Sequence, residues 1–422
     1  MSDPAPGMIL AEHRVSRGRD GGFGKGASQL LGHSGLTLSG FFSLHGMGAM
    51  LPIAAGLLLY GWRALLLIGI VVGCSALALP VWKRIGPRGA HLRTSHVLWL
   101  SLLMSLMLPV HLVTGEPPFE GVPGAQWAIL AGSGLLIVML TWLLGGVGSG
   151  RIHPVLVAYL LLVVIFKQAL IPHWVLQKER LFIGDVAKSE PSDRVTNASE
   201  GWIRTPARSG QDGMFIDQAA SEKLLRFTSG QQRPDRNWMS LDGLLRDEMP
   251  PLEDLILGGQ PGPIGAASAI AVIVGGLFLL YRGVIDFRIP LLIFVSTFAS
   301  LLILPIPAII KEVTIGGVGR MNTDWRWLAF RDRDIGAAKA FTFANYEIMA
   351  GPLLFMAFFL ATAPAVRPMA RRARIIYAVL IGLLTAILQL YLSVSFGPYL
   401  ALLVVSLVTP TCDKLFHPKP LV

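Results

Sequence analysis

Residues 255–291 read LILGGQPGPIGAASAIAVIVGGLFLLYRGVIDFRIPL. The first third is a run of glycine and proline, and from Pro263 to Tyr281 no charged side chain interrupts the chain. That apolar length is close to the roughly 20 residues a helix needs to cross a bilayer core. After Arg282 and Asp286 a second apolar stretch begins and runs to about residue 308. A turn, a span, a short polar connection and another span make the unit from which the rest of the chain is read.

Composition agrees with that unit. Of 422 residues 53% are hydrophobic and 15% charged, where soluble domains carry about 25% charged residues, and the mean hydropathy is +0.59. A chain of this kind has too little polar surface to enclose its own core in water. Soluble enzymes, disordered proteins and disulfide-stapled secreted domains are excluded together. The net charge of +10 is concentrated in short loops. Lys83, Arg84, Arg88 and Arg93 make one, and Arg367, Arg371, Arg372 and Arg374 make another, both between apolar stretches. Aromatic residues are not interleaved with these bases, so nucleic acid is not an expected partner. The expected surroundings are lipid. Cys74 and Cys412 lie far apart and no CxxC occurs, which excludes attached c-type haem and argues against a cysteine-held iron–sulfur cluster.

Ten apolar stretches are expected to be helices: 41–61, 63–82, 94–114, 124–144, 152–172, 263–282, 287–308, 343–364, 375–393 and 396–412. The expected fold is therefore an all-α polytopic membrane protein. Residues 1–40 form an N-terminal arm, 41–172 a first five-helix bundle, 173–262 a long polar segment, 263–416 a second bundle and 417–422 a tail. Residues 311–340 are a second polar connection. Pro109, Pro305, Pro307 and Pro352 fall inside stretches three, seven and eight and should kink or break them. Basic loops favour the cytoplasmic side, which puts both termini inside and 173–262 outside, with Glu116 and Glu120. Five spans, an excursion and five more spans would enter the membrane with opposite polarity. That is the arithmetic of an inverted repeat, whose sites lie at the repeat interface.

Local chemistry leaves two readings of Gly258–Ser268. Clustered glycines before a helix can aim backbone N–H groups at an anion, or can simply make a tight membrane-entry turn. Among ionisable residues, Glu347 and Asp286 are candidates for an ion pathway, because charge inside a bilayer is kept mainly for function; Lys167 can snorkel outward. His96 and His153 fall at one depth and His111 and His173 at another, with His45 opening the first span. Paired haem ligands need such matching, but the outer pair sits at helix ends, so haem is not expected, nor is any metal site. Trp127, Trp142 and Trp174 read as interfacial anchors.

The quoted stretch resembles the NqrB/RnfD family, membrane flavoprotein subunits of sodium-translocating NADH:quinone reductase and of the Rnf electron-transport complex. The family pattern there is roughly LFLGxxPGSIGETSxLAxLxGGxxLLxxxxIDWRIPL. GGVGSGRIHPVLVAYLLLVVIF (145–166) and AGPLLFMAFFLATAPAVRPMARRARIIYAVLIGLLTAIL (350–388) are similar to two further family blocks in the same order. The resemblance covers about 40–416. It implies a bacterial inner-membrane subunit of an electron-transport complex, working with other subunits, in which a flavin passes electrons and transfer is coupled to ion movement.

The departures are specific. The family esterifies FMN to a threonine in an SGAT-like sequence, and the matching segment here is Ser229-Gly230-Gln231-Gln232. Gln232 has no hydroxyl, so covalent FMN is not expected. The family's GETS reads Gly265-Ala266-Ala267-Ser268 and its ATDP reads Ala361-Thr362-Ala363-Pro364, removing two carboxylates. What the resemblance leaves is FMN or riboflavin held without a covalent bond by Gly258, Gly259, Gly262, Ile264, Gly265 and Ser268. The alternative is a non-redox structural or assembly subunit, or a small-solute transporter, on the same scaffold.

Overall fold

The computed structural model describes residues 38–85, 92–114, 124–144, 152–170, 256, 263–315, 318–327, 336–349, 351–364 and 366–416. Its main helices are α1 (Leu38–Tyr60), α2 (Trp62–Ile85), α3 (Thr94–Met107), α4 (Ala125–Leu143), α5 (Pro154–Ile165), α6 (Ala269–Tyr281), α7 (Arg288–Ile303), α8 (Gly336–Met349), α9 (Arg371–Tyr391) and α10 (Gly397–Leu415). Each of the ten apolar stretches overlaps one of them, and short helical turns lie at His111–Thr114, Lys167–Leu170 and Ile264–Ala266. Among the described residues five helices are long and apolar enough to cross a membrane. The bent pair Ala340–Met349 and Leu353–Leu360 makes a sixth if taken as one span, and α3, α5, α6 and α7 are shorter apolar helices. Large apolar side chains face outward all round: Leu77 is 76% exposed, Val164 82% and Tyr281 88%. In water such a surface would be an association liability; against lipid it is the required one.

Small residues set the helix packing, as expected where lipid tails compete with apolar contacts. Gly134 of α4 lies against α2 so closely that a Cβ there would come within 2.5 Å of the Val71 carbonyl oxygen. Ser75 Oγ donates across the same contact to the Gly134 carbonyl at 2.9 Å. Gly382 of α9 repeats this against α7, where a Cβ would meet the Ile293 carbonyl oxygen at 2.6 Å and Ser296 Oγ. Thr297 Oγ1 donates to the Gly382 carbonyl at 3.2 Å. The two groups of helices meet where α1 packs on α6 and α5 on α10. Gly275 of α6 leaves a Cβ only 2.6 Å from the Gly48 carbonyl oxygen of α1, and the Tyr159 and Tyr399 rings meet edge-on at 4.9 Å.

Three expectations change. The seventh stretch ends as a helix at Ile303 rather than 308, and Pro305 and Pro307 do not kink it: they lie in strand β1 (Pro305–Ile315), paired antiparallel with β2 (Val318–Trp327). Partners run from Pro305↔Trp327 to Ile315↔Val318, with an irregularity between Ile309 and Lys311. Proline lacks the N–H an α-helix requires but is tolerated at the first residue of a strand. The polar connection 311–340 thus holds a β-hairpin beside a helical membrane part. The eighth stretch begins earlier than position 343, at Gly336, so Glu347 lies in the last turn of α8 rather than the first. Pro52, Pro80 and Pro410 sit inside continuous helices, whereas Pro109 and Pro352 mark real breaks.

Candidate functional site where the broken elements meet

Three interrupted elements converge in the centre of the molecule. The third stretch stops at Met107, passes through Leu108–Val110 and resumes at His111. Pro109 makes an antiparallel bridge to Pro263, the residue entering the Ile264–Ala266 turn before α6. The eighth stretch stops at Met349 and restarts at Leu353, the two pieces bent by 66°. It then continues as one π turn, Met356–Leu360, with the Ala361 N–H donating to the Met356 carbonyl at 2.8 Å. Such π turns recur at functional sites because they displace side chains from helical register.

The glycines of the 255–291 stretch explain how these pieces fit. A Cβ on Gly265 would lie 3.0 Å from the Leu106 carbonyl oxygen and 3.0 Å from Phe355 Cδ2. One on Gly275 would lie 3.3 Å from Phe359 Cζ, and one on Gly276 would strike the Phe358 ring. The aromatic side chains of the segment Leu353–Leu360 therefore pack where α6 has no side chains. Ile264 is buried against Gly56 of α1, and the buried Ser268 caps α6, its Oγ accepting from the Ala271 N–H at 3.5 Å. For Ile264, Gly265 and Ser268 this is close packing and capping. Gly258, Gly259, Gly262 and Gln232 lie outside the described residues. Chemistry limits the fit of the family's flavin at one point, since glutamine at 232 cannot form a phosphoester.

Asp286 is brought into contact with the basic first turn of α9. Arg374 Nη1 donates to Asp286 Oδ2 at 3.0 Å, and Asp286 Oδ1 accepts from the Arg288 N–H at 3.2 Å. Arg374 also donates from Nε to the Pro368 carbonyl at 3.0 Å and from Nη2 to the Met369 carbonyl at 3.2 Å. Asp413 Oδ1, from the end of α10, accepts from the Met369 N–H at 3.0 Å. Asp286 thus anchors the start of α7 to the turn entering α9. Arg367 sits in this turn; burial, then the neighbouring Arg374, push its guanidinium pKa down, while Asp286 and Tyr377 pull it back. Ala363, where the family has aspartate, is buried beside Thr362, whose hydroxyl donates to the Phe358 carbonyl at 2.6 Å.

Glu347 is buried within the protein, 2% exposed. Its backbone carbonyl accepts from Gln389 Nε2 of α9 at 3.4 Å. Gln389 gives little signal in the sequence, where an amide inside an apolar helix is easily passed over. His96 of α3 and His153, at the start of α5, are both buried, and Phe42 lies 5.0 Å from His96, ring to ring. The His45 ring lies 4.2 Å from Phe41, tilted by 44°, and meets Trp99 edge-on at 5.4 Å. Glu347 and Asp286 are not brought together: one lies beside the break in the eighth stretch, the other before α7.

An apolar, multi-helix body with interrupted helices meeting at its centre defines a multi-pass membrane protein. The chain belongs to the NQR2, RnfD, RnfE family, whose profile matches residues 32–421. It is 26% identical over 371 residues to the D subunit of the ion-translocating oxidoreductase complex of Aeromonas salmonicida (strain A449), covering 85% of this chain and 87% of that one. It is 30% identical over 168 residues to the D subunit of the Na(+)-translocating ferredoxin:NAD(+) oxidoreductase complex of Acetobacterium woodii, 39% of this chain and 42% of the relative. It is 32% identical over 165 residues to the D subunit of the proton-translocating ferredoxin:NAD(+) oxidoreductase complex of Clostridium ljungdahlii, 39% and 41% respectively.

Proposed function

We propose that this chain is the D-type membrane subunit of a bacterial ion-translocating electron-transport complex, crossing the inner membrane ten times with both termini in the cytoplasm. The observation that carries the reading is the convergence of the Pro263–Ser268 turn with two broken helices, inside a chain that matches its family over nearly its whole length. A turn pinned between helix ends is where inverted-repeat transporters hold their ligands. Support for two inverted five-helix repeats comes from paired features: Ser75 on Gly134 against Thr297 on Gly382, and interruptions in both the third and the eighth stretch.

In this reading a flavin is held without a covalent bond, with Gly258, Gly259 and Gly262 leading into the buried Ile264–Ser268 turn. The cofactor supplies the redox chemistry and the protein supplies position and a low-dielectric surround. The chain's own contribution is to keep water out with Phe355, Phe358 and Phe359 and to fix the turn through the Pro109–Pro263 bridge. Partner subunits bring and remove electrons. The absorption spectrum of the gently purified complex tests this: flavin bands that leave the chain on denaturation are expected, and a spectrum without them removes the redox role.

The second reading, a non-redox subunit or small-solute transporter on the same scaffold, is favoured by Gln232 and Ala363 standing where the family has threonine and aspartate. Co-purification with flavin- or iron–sulfur-containing partners distinguishes the two.

A further inference from the structure

We infer that the end of α2 and the start of α3 form a binding site for an anionic phospholipid, its phosphate held by Lys83, Arg84 and Arg93 and one acyl chain lying along Leu77 and Val81. The inference goes beyond the function proposed above and requires only that α2 and α4 lie in a membrane.

The cations are gathered rather than scattered. Lys83 and Arg84 lie in the last turn of α2, Arg93 is the N-cap of α3, and all three side chains are exposed. Lys83 Nζ donates to the Thr94 hydroxyl at 3.0 Å, a bond that ties the end of one helix to the start of the next and keeps the charges close. An ammonium has three N–H donors, so this bond leaves two for an anion. Thr94 accepts from Lys83 and keeps its own O–H to donate. Residues 85–93 add Arg88 and contain no Asp or Glu. No acidic side chain pairs with Lys83, Arg84 or Arg93 among the described residues, where the ion pair is that of Arg374 with Asp286. Like charges brought together repel, and an anion seated among them relieves that repulsion.

The apolar half of the site lies along the same helix. Leu77, Val81 and Arg84 follow one another at the three- and four-residue spacing that shares a helix face, and all are exposed, as are Ala76, Pro80 and Lys83 in the neighbouring row. Both rows run from uncharged side chains to a cation, the order in which an acyl chain ends at its phosphate. The Trp82 and Trp142 rings meet edge-on at 5.9 Å between α2 and α4, and tryptophan at span ends marks the depth of lipid headgroups. The base is firm: Leu79, Leu92, Val97 and Val138 are buried together, with both tryptophans packed against them.

The donor set selects the occupant. Guanidinium forks match the unesterified oxygens of a phosphate, and an ammonium binds them as a point charge. Basic pockets at the membrane ends of helices recognise anionic headgroups in this way. A zwitterionic lipid brings its own cation, which Lys83, Arg84 and Arg93 repel, so the site prefers a headgroup with net negative charge such as phosphatidylglycerol. Free phosphate shares the headgroup chemistry but has no chain to cover Leu77 and Val81, and the lipid is therefore the occupant that fits both halves.

The test uses the full chain in phosphatidylcholine vesicles with increasing phosphatidylglycerol at low salt. Bromine on an acyl chain quenches a tryptophan it touches, so Trp82 and Trp142 serve as local reporters. Acyl-brominated phosphatidylglycerol should quench more than acyl-brominated phosphatidylcholine at the same mole fraction, and the excess should disappear in the Trp82→Phe/Trp142→Phe double variant. Lys83→Gln, Arg84→Gln and Arg93→Gln should each raise the phosphatidylglycerol fraction giving half the excess about fivefold, and the triple variant should abolish it. Arg371→Gln/Arg372→Gln/Lys414→Gln removes the same charge at other helix ends and should leave the excess in place. Added salt should weaken the excess, and inorganic phosphate should weaken it no more than chloride at equal ionic strength. Equal quenching by the two lipids would overturn the site. So would an excess that survives the triple neutralisation or the loss of both tryptophans, an equal loss in the control variant, or displacement by free phosphate. The readout involves neither flavin nor ion movement, so its failure leaves the function proposed above standing.

Discussion

Gly134 and Gly382 show how much single residues decide in this molecule. Each faces a backbone carbonyl on the neighbouring helix at a separation that excludes a methyl group. Gly134→Ala and Gly382→Ala must push helices apart, and overpacking of this kind costs about 1–3 kcal/mol. The expected outcome is a lower unfolding temperature in detergent for both, with Gly69→Ala, where a Cβ meets nothing within 4 Å, as the unaffected control. At this scale the sequence is legible only in part. The glycine and proline clusters announce a turn at Pro263–Ser268, but nothing local distinguishes an anion cradle from packing. The deciding fact, Phe355, Phe358 and Phe359 set against Gly265, Gly276 and Gly275, joins residues 82 to 90 positions apart. The partner of Asp286 is hidden for a similar reason: Arg374, which donates to it, lies in α9, far along the chain.

Among elements, the interruptions matter most. Pro109 and Pro352 are readable as breaks because proline removes a helical donor, while Pro52, Pro80 and Pro410 lack the same donor without breaking their helices. Apolarity places Glu347 in the first turns of the eighth stretch rather than the last turn of α8, because the first turns of α8 are too polar to look like part of a span and the stretch seems to begin seven residues late. The hairpin Pro305–Trp327 is hidden because Pro305 and Pro307 continue an apolar run, and apolarity alone does not separate the end of a helix from the start of a strand. One element-level anchor is open to direct measurement. Asp286→Asn removes the carboxylate from Arg374 at a pair that is about one-fifth exposed, and the expected destabilisation is about 0.5–1 kcal/mol. High salt should shrink the difference between variant and wild type in thermal melts, since partly solvated charges are screened. Equal melts at low salt would show that the backbone contacts of Arg374 hold the turn alone.

For the whole molecule, composition and the ten apolar stretches establish a multi-pass membrane protein, and the family blocks establish its kinship. The pairing of helices is beyond the sequence, because contacts such as Ser75 with Gly134 and Thr297 with Gly382 join residues far apart in the chain. Two measurements address the molecule as a unit. The intact mass of the purified chain should equal that of the unmodified polypeptide, while Gln232→Thr should gain the mass of one esterified FMN in cells that carry the attaching enzyme. Reporter fusions at position 232 should report an extracytoplasmic location, and fusions near 88 and 371 a cytoplasmic one. A cytoplasmic report from 232 would invert the orientation proposed above.

The hydroxyl-to-carbonyl bonds Ser75–Gly134 and Thr297–Gly382 carry a mechanical consequence. Each bolts two helices at one register, because a slip of a single residue, about 1.5 Å, would part donor from acceptor and drive side chains into the glycine. α2 with α4, and α7 with α9, must then travel as stiff blocks. Relative movement between helices is then confined to contacts that carry neither clamp, such as the edge-on rings of Tyr159 and Tyr399, and to the two interrupted helices.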